Sequence, residues 1–332
     1  MGGSLREGDF SPRKRGICVT SRWNPCDWCA TRNLTAHVTK TIMEYHKSVL
    51  LKEVVEYLDL KPSDIVLDAT FGFGGHSQAI LDKLGPKGRI IGFEQDRRIY
   101  QTVTRDLPSR ITLINDNFVY YRKHLDKLGI KKFNSVLFDL GVSSWHFDSS
   151  KSGFSFKGDE DLDMRMNLGS RVTARDIINK YSEAELADIF YYLSDERDAR
   201  RIAREIVAVR RRLPIVKTRQ LVEIVGRVKG RRNTKINPAT QVFQSLRIEV
   251  NHELSYLKTT LESIVDDLKV GGRAVVLSYH SKEDKITKEV FKKKEREGIV
   301  EIITKKPIVP SEEELLQNPR SRSAKMRVIR RK

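Results

Sequence analysis

Ile65-Val-Leu-Asp-Ala-Thr-Phe-Gly-Phe-Gly-Gly-His-Ser77 is the stretch on which the fold turns. Ile65–Ala69 is an apolar run too short for a helix and reads as a buried strand carrying Asp68 near its end. Gly72, Gly74 and Gly75 then bend the chain through a turn whose bare backbone admits a ligand closely. Ser77–Leu84 resumes at helical spacing. The pattern repeats outward from this unit. Val49–Leu58 is a helix before it. Arg89–Glu94, Ile111–Asn115 and Ser135–Asp139 are strands after it, with Ile99–Asp106 helical between the first two. Strands alternating with helices predict an α/β fold, a Rossmann-like, doubly wound parallel sheet.

After Trp145 the alternation stops. Ala174–Asn179, Glu183–Tyr192, Ala199–Arg211 and Thr218–Val228 carry helical periodicity without a strand between them. Leu254–Leu268 is a helix, and Arg273–Ser278 restores the strand pattern. Lys285–Lys294 is a helix, and Ile299–Thr304 with Lys325–Ile329 reads as a closing antiparallel pair. The expected organisation is a first sheet segment at 43–147, an inserted all-helical domain at 148–240 and a second sheet segment at 241–332. Residues 1–42 are Arg-rich, acid-poor and aperiodic. They admit three readings: a transit peptide, a disordered basic arm, or a segment upstream of a true start at Met43.

The chain has 332 residues, of which 39% are hydrophobic and 32% charged, enough for two packed units. No apolar run approaches the roughly 20 residues that span a bilayer, so no membrane association is expected. Cys18, Cys26 and Cys29 all fall in the first 42 residues, which leaves the body without a disulfide framework and suits a reducing compartment. The segment is short and its outer spacing irregular, so no metal is expected. The formal charge of +18 points to a polyanion. It is clustered: Arg197–Lys235 holds fourteen Lys and Arg against Asp198, Glu205 and Glu223, a net +11 that includes Arg210, Arg211 and Arg212. A solvated, salt-bridged helical face mixes signs, and this stretch does not. Nucleic acid is the expected partner.

Ligands of open α/β sheets bind beyond the carboxyl ends of the strands. Here those ends carry Asp68 with Gly74-Gly75-His76, Glu94, Asp116-Asn117-Phe118, and Asp139. Glu94 stands 26 residues after Asp68, where an acid accepts from ribose hydroxyls, and Phe118 offers a face to a purine. A dinucleotide site needs G-x-G-x-x-G, whereas the run from Gly72 has Ser77 in the sixth place. An adenosine ligand without a pyrophosphate fits better, and S-adenosylmethionine is one.

Beyond this pattern, several stretches resemble one family: His46–Val54, Asp68–Ser77, Asp139–Ser144, Gly153–Phe156, Leu162–Met166, Phe243–Ile248, Val250–Leu254, Ser278–Ser281 and Asn318–Ala324. They are similar to the bacterial methyltransferases often called MraW, which methylate N4 of a cytidine in small-subunit ribosomal RNA and have a mitochondrial counterpart. The resemblance implies a class I methyltransferase sheet and cofactor contacts at Gly74, Gly75, His76, Glu94, Phe118, Asp139 and the position of His146. At that last position the family pattern Ser-Ser-Pro-Gln is replaced by a run ending Ser144-Trp145-His146.

The chemistry expected is methyl transfer from S-adenosylmethionine to a cytosine amine. That amine is a poor nucleophile, so acceptors on its protons help, and Asp139 is the leading candidate. His280 and Ser281 follow the fifth strand and are expected in the same cleft, as base ligands or proton relays. Arg165, Arg247 and Asn251 lie in family-like stretches and are expected to bind the target nucleotide, with Arg210, Arg211 and Arg212 on the phosphates. The implied partner is small-subunit ribosomal RNA, free or in an assembled subunit, and a homodimer is one admitted state. The cytoplasm is the expected compartment, and the mitochondrion is the alternative if residues 1–42 are a transit peptide. The competing functional reading is a non-catalytic RNA-binding assembly protein that keeps the cofactor fold. A small-molecule methyltransferase ranks behind it because of the clustered charge.

Overall fold

A computed structural model describes residues 47–142, 144–148, 152–156, 158–230 and 237–332. The expectations for residues 1–42, with their cysteines, fall outside this range, as do Arg231, Arg232 and Lys235 of the basic stretch.

Helix α1 (Leu51–Leu58) buries Val54 and Leu58 on one face and leads into β1 (Ile65–Asp68). Helix α2 (Gly75–Lys83), β2 (Arg89–Phe93), α3 (Arg97–Val103), β3 (Ile111–Ile114), α4 (Tyr121–Lys127) and β4 (Phe133–Asp139) follow. Then come helices only: α5 (Ser144–Asp148), α6 (Ala174–Lys180), α7 (Glu183–Ser194), α8 (Ala199–Arg210), α9 (Thr218–Lys229), α10 (Thr240–Asn251) and α11 (Glu253–Asp267). Strand β5 (Leu268–Ser278), α12 (Ser281–Arg296), β6 (Val300–Ile302), α13 (Glu312–Gln317) and β7 (Lys325–Arg331) close the chain.

The seven strands form one sheet in the order β3-β2-β1-β4-β5-β7-β6. Strands β1 to β5 run parallel, with Asp68 opposite Gly92 and Leu137, and Asp139 opposite Leu277. Strand β7 is antiparallel to both β5 and β6, so the expected closing pair is present. The strands are nearly continuous apolar runs because both sheet faces are covered by helices. One face packs Phe93, Phe133 and Phe138 against Leu261, Ile264 and Phe291; the other packs Leu50, Ile80 and Leu137 against Val275 and Val328.

A third apolar cluster lies off the sheet. It runs from Phe154 through Ile177, Phe190, Ile206 and Ile224 to Val250. Helix α10 therefore packs with the helical layer, beyond the boundary expected at residue 240, because Val242, Phe243, Leu246 and Val250 turn toward that cluster. Each such fully buried side chain contributes about 1.5–3 kcal/mol relative to exposure. Capping boxes start α6 at Thr173 and Asp176 and α7 at Ser182 and Glu185, which explains why those helices begin abruptly.

Candidate active site

The turn after β1 is tied down from behind. Asp68 is buried and accepts from Ser77 Oγ at 2.6 Å and from the Thr70 N–H at 3.1 Å. Burial pushes its carboxyl above the usual range, against the pull of the Ser77 bond. Gly74 caps α2 in the left-handed region at φ 81°. Neither residue lines the cleft that opens above; both shape it.

That cleft is about 1030 Å³, open to solvent, and is lined by Gly72, Gly75, His76, Glu94, Phe118, Asp139 and His146 among others. Glu94 Oε2 accepts from the Gly72 N–H at 3.0 Å and Oε1 from the Asp96 N–H at 2.6 Å. Each oxygen keeps acceptor capacity for a further donor. Burial pushes the Glu94 carboxyl up to about 8. Phe118 is held edge-on to Phe138 at 5.5 Å. His146 is buried with Nε2 3.2 Å from Asp96 Oδ2. Burial raises the Asp96 carboxyl, but bonds from His146 and Arg98 outweigh it and bring it down to about 2.

Asp139 sits where β4 ends. Its backbone N–H donates to Thr70 Oγ1 at 2.6 Å, and the Tyr279 hydroxyl donates to its Oδ1 at 2.7 Å. His76 Nε2 donates to the Val49 carbonyl at 2.9 Å, which leaves Nδ1 facing Asp139 Oδ2 at 3.5 Å. Gly141 is required beside it: a Cβ there would meet the Tyr279 ring at 2.8 Å.

A second cleft of about 700 Å³ adjoins the first through Leu140, Gly141, Val142 and Glu283, which line both. Its walls are aromatic (Phe147, Phe154, Phe156, Phe243, Tyr279), and its polar groups are Thr240, Gln244, Arg247, His280 and Glu283.

The expected site residues divide. Gly75, His76, Glu94, Phe118, Asp139, His146 and Asn251 meet in the first cleft, and Arg247 and His280 in the second. Ser281 does not join them; it is exposed as the first residue of α12, because His280 caps that helix and turns the chain outward. Asn251 is a clamp, accepting from the Met166 N–H at 2.9 Å and donating to the Met164 carbonyl at 2.8 Å. Arg165 is spent on Asp163 and on the carbonyls of Leu168 and Ser170. Arg247 donates to both oxygens of Glu253, at 2.9 and 2.8 Å. Arg210 donates to the Ile178 and Tyr181 carbonyls and so closes the end of α6; Arg211 and Arg212 are exposed. Sequence reasoning missed Tyr279, Glu283 and Glu253. The first lies inside the Ser278–Ser281 stretch, but its phenol finds Asp139 only across 140 residues of chain.

Among the described residues, Glu253, His280 and Glu283 bring three ligand-type atoms within 4.8 Å of one another. Protein donors already hold both carboxylates: Arg247 on Glu253, and the Tyr279 and His280 N–H groups on Glu283 Oε2.

Parallel strands β1 to β5, an antiparallel β7 between β5 and β6, and a ligand cleft at the carboxyl ends define a Rossmann-like class I methyltransferase. The chain belongs to the MraW methylase family, whose model it matches over residues 43–332. It is 42% identical over 303 residues to a ribosomal RNA small subunit methyltransferase H of Christiangramia forsetii, across 87% of this chain and 99% of the relative. A protein of the same name from Bacteroides fragilis is 42% identical over 300 residues, across 87% and 98%. A solved rRNA methylase from Streptococcus thermophilus is 12% identical, with a TM-score of 0.38 over 85% of this chain and 93% of that one. The cofactor is S-adenosylmethionine. Among the described residues, no helix is long and apolar enough to cross a membrane.

The site fits that cofactor. A Cβ on Gly75 would run into Ser48 Oγ, so the turn at the cleft floor has no room for a side chain there. Glu94 offers two buried oxygens for a diol.

Proposed function

We propose that this chain methylates the N4 exocyclic amine of a cytidine in small-subunit ribosomal RNA. One observation carries the reading. Two clefts meet at the Leu140-Gly141-Val142 loop, and the Asp139 carboxylate stands beside that junction, fixed by Tyr279 and facing His76. The first cleft would hold the cofactor: Glu94 takes the ribose hydroxyls, Phe118 the adenine face, and the Gly72–His76 turn the rest. S-adenosylmethionine supplies an electrophilic methyl when bound.

The second cleft suits one base removed from its stack. Aromatic walls hold a flat ring, and polar groups on the rim read its edge. Asp139 accepts an amine proton, which localises the nitrogen lone pair and offsets charge that builds on that nitrogen. Holding nucleophile and acceptor in register supplies most of the remaining rate. Exposed Arg200, Arg204, Arg211, Arg212 and Arg219 of the helical layer give phosphates a landing surface. The relatives' names, with their small-subunit rRNA substrate, support the same reading. Mass spectrometry of ribosomal RNA nucleosides, from cells with and without the gene, tests it. N4-methylated cytidine should vanish with the gene. Its persistence, or loss of a different modified base, overturns the proposal.

A further inference from the structure

Tyr279 joins two carboxylates. Its hydroxyl donates to Asp139 Oδ1 at 2.7 Å, and its backbone N–H donates to Glu283 Oε2 at 2.8 Å. Glu283 is almost fully buried, at 3% exposure, yet it lines both clefts. Its Oε2 also accepts from the His280 N–H at 3.2 Å, so that oxygen is saturated by backbone. Oε1 stands 3.1 Å from His280 Nε2 and retains acceptor capacity. A donor entering where the two clefts meet can use that remaining capacity.

The geometry points to Glu283 as the residue that selects an amino-bearing pyrimidine, by accepting one N–H of the base's exocyclic amine while Asp139 accepts the other. This rests on the proposal that the second cleft takes a cytosine. An amine has two protons, and the site presents two carboxylates braced by a single tyrosine. Uracil places a carbonyl oxygen at the same position and would face Glu283 oxygen to oxygen. Sites built to bond a substrate N–H reject analogues that lack it far more strongly than apolar pockets reject a change of size. The competing account is that Glu283 serves only as the third residue of the α12 capping box with His280. Glutamine separates the two, because its amide oxygen still accepts the backbone N–H groups while its NH2 replaces Oε1.

The test is equilibrium binding of cytidine 5′-monophosphate and uridine 5′-monophosphate to the full chain saturated with S-adenosylhomocysteine, followed by ligand-observed NMR. Wild type should prefer the cytidine nucleotide by at least about tenfold, the worth of one bond to a charged group. Glu283→Gln should bring the ratio to about one or invert it, with a cooperative melt retained. A wild type without preference overturns the inference, and so does a Glu283→Gln protein with the wild-type ratio. Should Glu283→Gln fail to fold, Glu283→Asp retracts the charge by one methylene. It should weaken the cytidine nucleotide severalfold and leave the pyrimidin-2-one nucleotide, which lacks the amine, unchanged; equal weakening of both overturns the inference. If cells show gene-dependent N4-methylcytidine while these ratios stay fixed, Glu283 loses its role and the functional proposal stands.

Discussion

The Tyr279 hydroxyl is 2.7 Å from Asp139 Oδ1, so the carboxylate at the end of β4 is oriented by a phenol that follows the end of β5. Burial, and then the Asp139 charge, hold the Tyr279 phenol well above its ordinary range, so it stays a donor at every working pH. Tyr279→Phe removes that donor and keeps the ring against Gly141. Turnover should fall by about five- to tenfold, the kinetic equivalent of roughly 1 kcal/mol for one hydrogen bond, with the cofactor KM nearly unchanged. A kcat equal to wild type would show that the Asp139 carboxylate needs no donor from Tyr279 to keep its place.

Glu94 gives the unliganded protein a pH dependence. Its carboxyl lies at about 8 in the fold, against an ordinary value of 4.5. The fold favours the protonated form, so this group's stabilisation is complete below about 4.5 and is lost as pH rises through about 8. Melting temperature should decline across that window in wild type, and Glu94→Gln should remove that part of the decline. Glu94→Ala should also weaken S-adenosylmethionine by about 1–3 kcal/mol, measured calorimetrically, because two hydroxyls lose a buried partner. Unchanged affinity would move the ribose elsewhere.

The sheet was legible because its signals are local. Ile65–Asp68 and Arg89–Phe93 are short, largely apolar strands, the first ending on Asp68 and the second running directly into Glu94, and nothing distant changes that pattern. The cofactor-side residues followed from their place at strand ends. Side-chain partnerships were not legible. Arg210, Arg211 and Arg212 look alike in sequence, and only the packing of α8 beside α6 turns the first toward two orphan carbonyls. Ser281 follows His280 directly, yet the helix starting between them places one in the second cleft and the other in solvent.

That division changes what neutralising the arginines should do. Arg210→Ala should lower the melting temperature by uncapping α6, with little specific effect on RNA. Arg211→Ala with Arg212→Ala should leave stability alone and weaken binding of small-subunit ribosomal RNA. The slope of log K against log salt should flatten by roughly 0.7–0.9 for each phosphate that is no longer neutralised. An unchanged slope in the double variant would mark this end of α8 as a solvated face.

Asp139→Asn separates binding from chemistry. The amide is isosteric, and Tyr279 still donates to its oxygen. Its NH2 then takes the place of Oδ2, 3.5 Å from His76 Nδ1. The Tyr279 hydroxyl keeps its acceptor, so the fold and the cofactor affinity should survive. What disappears is the negative acceptor beside the reacting amine. With saturating RNA and cofactor, turnover should drop by on the order of tenfold to a thousandfold, the range for losing one preorganised electrostatic group. RNA affinity should barely move, since the arginines proposed to meet the phosphates on the helical layer are untouched. Single-turnover kinetics of methyl incorporation decide the matter. Wild-type rates in Asp139→Asn would remove Asp139 from the chemistry and leave it a structural strand-end acid.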